Sequence, residues 1–464
     1  MKDALKIGAA LRAGAVSARE LTQDALAQIA ANNARLNCFS EVFAEEALAD
    51  ADAIDARRAR GEALPPLAGV PVAVKNLFDV CGHTTIAGSK LLRDAPPATE
   101  DAAAVASMRQ AGAIVLGALH MDEFAYGFTT ENSHYGAVRN PHDVSRIAGG
   151  SSGGSGSAVG AGLVRIALGS DTSGSIRVPS ALCGAWGLKP SFGRLSRRGC
   201  YPFVDTLDHV GPLAASSIEL ALAYDAMQGP DARDPACAQR AAEAVTPLLG
   251  QDPAQLTAGL RIAVAGGYFK DNAEDEAWQA VQTAAGLLGS RREVDVAHAS
   301  QGRAGAFIIT AHEAGQRHWP QLRERGADFE PLSRDRLLAG AFAPAAWVEQ
   351  AHQFRARFRR EMDRLFNEVD VILTPATPRS ATKIGATSMQ VRGQEMIPRA
   401  HMGMLTQPIS FIGLPAAVAP YMPAGRMPVG VQIIAPMWRE DWCLRVARAL
   451  ELLSGDFRAK PALA

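Results

Sequence analysis

Serine and lysine are the residues of this chain whose types and spacing could carry covalent chemistry. From Gly149 to Gly187 it reads GGSSGGSGSAVGAGLVRIALGSDTSGSIRVPSALCGAWG, with hydroxyls set among glycines. Small residues let a backbone approach a substrate closely, and their N–H groups can converge on developing negative charge, so this run suits an oxyanion hole. Acyl transfer also needs a nucleophile and a base, and the serines offer the nucleophile. Composition alone would read as a flexible Gly/Ser linker. Context opposes that reading. The run leads into an apolar, helix-like segment, Ala158 to Leu168, and then a second Gly/Ser cluster flanked by Ile176, Val178 and Pro179. A linker would border a domain edge rather than the most core-like part of the chain.

Two short patterns offer competing nucleophiles. Gly149-Gly150-Ser151-Ser152-Gly153 fits G-x-S-x-G, which would make Ser151 the nucleophile. The preceding RNPHDVSRIA reads as a polar loop, whereas that motif requires a strand. Ser380-Ala-Thr-Lys383 fits S-x-x-K, but neither SDN nor KTG accompanies it, and a solvated loop lysine is the plainer reading. A third assignment rests on resemblance. The segment resembles the amidase signature: GGSSGG, a serine 24 residues beyond Ser151 in SDTSGSIRVPSALCGAWGLKP, and VAVKN upstream, centred on Lys75. The blocks MDEFAYGFTTENSHYG, RNPHD, LDHVGPLA and MPVGVQII extend the resemblance over essentially the full chain.

The resemblance implies an amidohydrolase with Ser175 as nucleophile, Ser151 as bridging serine behind a cis Gly150–Ser151 peptide, and Lys75 as base. It places the oxyanion hole at the N–H groups of Thr172, Ser173, Gly174 and Ser175, and implies neither metal nor organic cofactor. One departure is visible: Ser173 stands where the family commonly has glycine. A lysine base must be held neutral, which burial achieves because desolvation disfavours its charge. The alternative for an interior lysine is pairing with a carboxylate.

Within the family the texture resembles the glutaminase subunit of glutamyl-tRNA amidotransferase. That resemblance implies an arginine for the glutamine carboxylate, met here by Arg355 in QFRARFRREM, and an aspartate for its α-amino group. The aspartate's place in HMGMLTQP holds Gly403. The segments FVDTLDHVGPLA, YDAMQGPDARDP and QIIAPMWREDWCLR resemble instead the branch that hydrolyses 1-carboxybiuret in cyanuric acid breakdown, a small carboxylated urea-type amide, with ammonia release. Tyr126 is expected to line the pocket or pack, and Arg177 to bind substrate or brace the nucleophile loop. The resemblance further implies a small accessory subunit like the amidotransferase's C subunit, and an oligomer. A catalytically inactive scaffold of the same fold is the contrasting reading, which the presence of the base and both serines opposes.

The elements that must position these residues read as an α/β fold, which the resemblance implies is a large mixed, twisted sheet covered on both faces by helices. Ser17 and Glu20 form a capping box before a helical pattern. LAGVPVAVK (67–75) and AIVLG (113–117) read as interior strands with a helix over 101–112 between them. VDVILTPATP and MPVGVQIIA are further strands, and 441–453 a closing helix. A single domain is expected over 1–464: N-terminal helices in 1–60, a signature core in 65–225, a helical covering region in 230–360 without attachable chemistry, and returning strands and helix in 365–464. Met402 to Gly425 is uncharged, but its four prolines argue for buried strands and loops over a membrane span. Lys and Arg total 47 against 48 Asp and Glu, which gives no field to draw nucleic acid or an anionic membrane. Six scattered cysteines and a charged N-terminus are read as a cytoplasmic protein.

Overall fold

The computed structural model describes residues 4–463. Eleven strands form one mixed sheet. In chain order they are β1 (Phe39–Val42), β2 (Pro71–Lys75), β3 (Ile114–Leu119), β4 (Ile166–Ser170), β5 (Trp186–Lys189), β6 (Val210–Ala214), β7 (Ile262–Ala265), β8 (Glu293–Val294), β9 (Val371–Pro375), β10 (Ala416–Tyr421) and β11 (Val429–Ile434). Across the sheet the order is β1-β3-β2-β4-β6-β5-β10-β11-β9-β7-β8. β2 runs parallel to both β3 and β4, and β9, β7 and β8 are parallel to one another. The strands between are antiparallel.

Every residue of β2, β3, β4, β10 and β11 is buried, as near-continuous apolar strands are when helices flank the sheet. Strands from the last hundred residues sit beside β5, so the sheet draws on both ends of the chain, as the sequence predicts. The Ser17 capping box forms: the Glu20 N–H donates to Ser17 Oγ at 3.0 Å, and the Ser17 N–H to Glu20 Oε2 at 2.8 Å. It opens the helix Ala18–Leu36. The helix between β2 and β3 spans Ala103–Gln110, and the closing helix Glu440–Leu453.

Three local expectations differ from the structure. The apolar stretch 158–168 is not one helix: the helix Gly153–Ala161 ends at Gly162, whose φ of 80° forms a left-handed cap, and β4 follows. RNPHDVSRIA, read as a loop, contains a small antiparallel hairpin pairing Arg139–Asn140 with Asp143–Ile147. Within 402–425 a short helix, Gln407–Phe411, precedes β10, with Pro408 in its first turn, where a missing N–H costs nothing.

Register sets up the site. Val72, Ala73 and Val74 of β2 stand opposite Ile166, Ala167 and Leu168 of β4. Lys75 and Ser170 therefore close adjacent parallel strands at their carboxyl ends, where ligands bind in open α/β sheets. The glycines of GGSSGGSGS let the helix Gly153–Ala161 close on the helix Arg177–Cys183. A Cβ on Gly156 would stand 2.8 Å from the Pro179 side chain, which no side chain tolerates without movement.

Candidate active site

Lys75 is fully buried at the end of β2. Its Nζ lies 2.7 Å from Ser151 Oγ and 2.9 Å from Ser170 Oγ. Among the described residues no carboxylate forms an ion pair with it. Burial brings its pKa down to about 7, while Asp122, Asp208 and Asp171 pull the other way. The amine is thus poised near neutrality, the condition a general base requires.

Ser151 follows a cis Gly150–Ser151 peptide, as the resemblance implied. Its carbonyl accepts from the Asp122 N–H at 3.2 Å, and the next residue's N–H donates to the Ser175 carbonyl at 3.3 Å, which joins the two serine-bearing loops. Ser175 sits between β4 and the helix Arg177–Cys183, in a turn where Gly174 has φ 148°. The structure unites Lys75 with Ser151 but holds no hydrogen bond between the Ser151 and Ser175 hydroxyls. The Ser175 hydroxyl has no hydrogen-bond partner among the described residues. Nor do the N–H groups of Thr172, Ser173, Gly174 and Ser175 donate to any described group. Four consecutive free donors beside a free hydroxyl are what an acyl-transfer site needs, because the developing oxyanion takes up donors that no protein group has claimed.

The turn is held from behind. Arg177, fully buried, donates from Nε to Asp171 Oδ2 at 2.9 Å and from Nη2 to Asp171 Oδ1 at 2.8 Å, and also reaches the Thr406 carbonyl at 3.1 Å. Burial opposes the ionised form of Asp171, and the Arg177 charge overcomes it, holding the carboxyl well below its usual range. The Asp171 carboxylate in turn accepts from the Ile176 N–H at 3.2 Å. With its donors engaged inside the protein, Arg177 fits the brace among its two expected roles. Thr406 Oγ1 donates to the Ser173 carbonyl at 2.7 Å and fixes the other side.

Ser175 faces a pocket that Tyr126, Ser173, Phe203, Thr310 and Arg336 help to line. Tyr126, for which the sequence left lining and packing open, is among these lining residues, and its ring also packs on Phe203. Arg355 is not among the lining residues: its Nη2 donates to the Thr206 carbonyl at 2.8 Å, and burial, with Arg359 next, lowers its pKa. Gly403 packs directly against the Phe128 ring, which occupies the space a Cβ would need. A second cavity of about 240 Å³ adjoins, lined by Ala125, Ser170, Tyr201, Phe203 and Asp208. Sequence reasoning missed three groups. Ser170 was legible only as part of the GSDTSGS run, while Thr310 and Arg336 lie on the helices Ala299–Arg325 and Pro331–Ala341, where no motif marks them.

The family profile described as Amidase matches residues 20–444. AtzE, the 1-carboxybiuret hydrolase subunit of Pseudomonas sp. (strain ADP), is 54% identical over 95% of this chain and 96% of its own length. A glutamyl-tRNA(Gln) amidotransferase subunit of Chloroflexus aggregans (strain MD-66 / DSM 9485) is 36% identical over 98% of this chain and 97% of its own. Among solved structures, one described as a vestigial protein complex that reveals the origins of an s-triazine catabolic enzyme shares 53% identity at a TM-score of 0.97, covering 99% of this chain and all of that one. The corresponding amidotransferase subunit of Thermotoga maritima shares 29% at 0.79, over 94% and 92% of the two chains.

Proposed function

The chain belongs to the amidase family and is an amide C–N hydrolase, and from that premise we propose that it works through Lys75, Ser151 and Ser175 on a small carboxylated urea-type amide. The observation that carries the reading is the buried Lys75 amine 2.7 Å from Ser151 Oγ, with no carboxylate in an ion pair with it among the described residues. Neutral Lys75 takes the Ser151 proton, Ser151 takes that of Ser175 once a side-chain rotation brings the two hydroxyl oxygens within reach, and the Ser175 oxygen attacks the carbonyl carbon. The free N–H groups of residues 172–175 receive the oxyanion. As the C–N bond breaks, the proton returns through Ser151 to the departing nitrogen, which leaves as ammonia. Water then adds to the acyl-enzyme by the same relay in reverse and restores the Ser175 hydroxyl.

The substrate class is supported by similarity to the 1-carboxybiuret hydrolase subunit, and by Gly403 in place of a carboxylate that would hold an α-ammonium. Both count against glutamine as the preferred substrate. A small accessory chain is part of the proposal, supported by the 53% identical relative solved as a protein complex.

Ser175→Ala tests the nucleophile: turnover falls by at least about 10⁴-fold with an unchanged melting temperature, and the acylated Ser175 peptide disappears from mass spectra of quenched reactions. Substantial residual kcat would remove Ser175 from that role. Ammonia release across carboxybiuret, biuret, malonamate and glutamine tests the class, and a preference for glutamine would overturn it.

A further inference from the structure

Three carboxylates act on the Lys75 amine through their charge, Asp122 most, then Asp208 and Asp171. Each is engaged elsewhere. Asp171 is held by Arg177. Asp208 accepts from Thr172 Oγ1 at 2.6 Å and from the N–H groups of Phe203 and Val204 at 2.8 and 2.9 Å. Asp122 pairs with Arg399, whose Nη1 lies 2.9 Å from Asp122 Oδ1, and both side chains are buried. The Cys200 thiol is also within the amine's field, but burial pushes its pKa up and keeps it uncharged.

Asp122 matters most because of where it stands. It follows β3, whose Leu119 lies opposite Lys75 in register. Its N–H donates to the Ser151 carbonyl, and its Oδ2 accepts from the Thr130 N–H at 3.1 Å. A Cβ on Gly150 would stand 2.2 Å from that same oxygen, so the carboxylate packs directly against the backbone that presents Ser151. An uncompensated carboxylate at this place would favour the ammonium form of Lys75, which cannot accept a proton. Arg399 brings the compensating charge from a distant part of the chain, the short helix Pro398–His401. Its Nη2 also donates to the Tyr126 carbonyl at 3.2 Å, which fixes the guanidinium on both sides of the aspartate's loop. Arg336 shares the field of this pair.

We propose that Arg399 is a positioning residue for the base: it compensates Asp122 behind Ser151 and so leaves the Lys75 amine free to be neutral. This rests on the amidase reading above and deepens it, because it names the group that sets the pH range in which the base is available. Breaking a buried pair by removing one partner leaves the other charge uncompensated, and here that charge faces the amine. The segment 398–401, remote in sequence from Lys75, Ser151 and Ser175, then acts on the reaction through electrostatics alone.

The experiment is the pH profile of kcat/KM between about pH 5.5 and 9.5, read by ammonia release from the fastest of the four amides named above. It is run on the unaltered protein, Arg399→Gln, Arg399→Lys, Asp122→Asn and the double variant Arg399→Gln with Asp122→Asn, with a melting curve for each. Arg399→Gln is expected to move the acid limb up by about one pH unit, so that kcat/KM falls roughly fivefold more at pH 7 than at pH 9.5. Arg399→Lys keeps the charge and holds the limb near its original place. Asp122→Asn moves the limb down, and the double variant returns it toward the parent's. A loss that is equal at every pH, an unmoved limb, or a shift of the same sign in Arg399→Gln and Asp122→Asn overturns the inference while leaving the amidase reading intact. Should Arg399→Gln not fold, Asp122→Asn decides alone, and an unmoved limb there overturns it. If the unaltered protein releases ammonia from none of the four amides, or shows no acid limb near neutral pH, the reading underneath fails and the inference with it.

Discussion

Lowering the pH from 8 to 6 tests the base directly. With a pKa of about 7, about nine-tenths of Lys75 is neutral at pH 8 and about one-tenth at pH 6, so kcat/KM falls roughly 10-fold over that span. A lysine at its usual 10.5 would instead be almost wholly charged at both, and the rate would still be climbing above pH 9. Lys75→Met removes the limb itself and costs about 10³-fold in kcat. Stability moves the same way with pH. Below pH 7 both folded and unfolded chains carry the Lys75 proton, and the folded one bears the full burial penalty. Between 7 and 10.5 the unfolded lysine still binds a proton that the folded one has shed, so stability rises with pH. The shift from 10.5 to about 7 corresponds to at most about 5 kcal/mol. Lys189, also buried with its pKa brought down to about 7, adds to the same window, so the comparison is with Lys75→Met. The variant is expected to be more stable than the parent at pH 6, the gap closing toward pH 10. Initial rates from pH 5.5 to 9 and melting curves across pH 6 to 10 suffice. A rate profile flat between 6 and 8, or a Lys75→Met enzyme keeping a tenth of its activity, would refute the argument.

Ser170→Ala removes the 2.9 Å partner that helps hold the Lys75 amine toward Ser151, and kcat is expected to fall about 10-fold with KM little changed. Unaltered kcat would show that Ser151 alone orients the amine. Gly403→Ala forces a methyl into the Phe128 ring, and a loss of about 1–3 kcal/mol in chemical denaturation is expected. A neutral effect would mean that Phe128 swings aside freely, and would reopen the position to the aspartate of the glutaminase subunits.

Much of the strand and helix content is written locally. β2 and β3 announce themselves as short β-branched runs, and Ser17 with Glu20 marks a helix start because capping needs only four adjacent residues. The errors fall where neighbours decide. Gly162 stops a segment whose apolar texture continues, and the 139–147 hairpin forms although its polarity reads as loop. Gln407–Phe411 is helical inside a proline-rich stretch because proline in a first turn is tolerated.

By itself the sequence determined which atoms could react. Serines among glycines and an isolated lysine in an apolar strand are choices of residue type that the needs of a fold alone do not explain, and they can be read without coordinates. Only the tertiary structure decided how those atoms meet. Ser170 reaches Lys75 because β2 and β4 share a register; Arg177 proves to be committed to Asp171; Arg355 turns to Thr206 while Arg336 faces the pocket. Each of these depends on packing between segments far apart in the chain, and on the burial that sets whether an amine is charged. Spacing along a sequence carries no information about either.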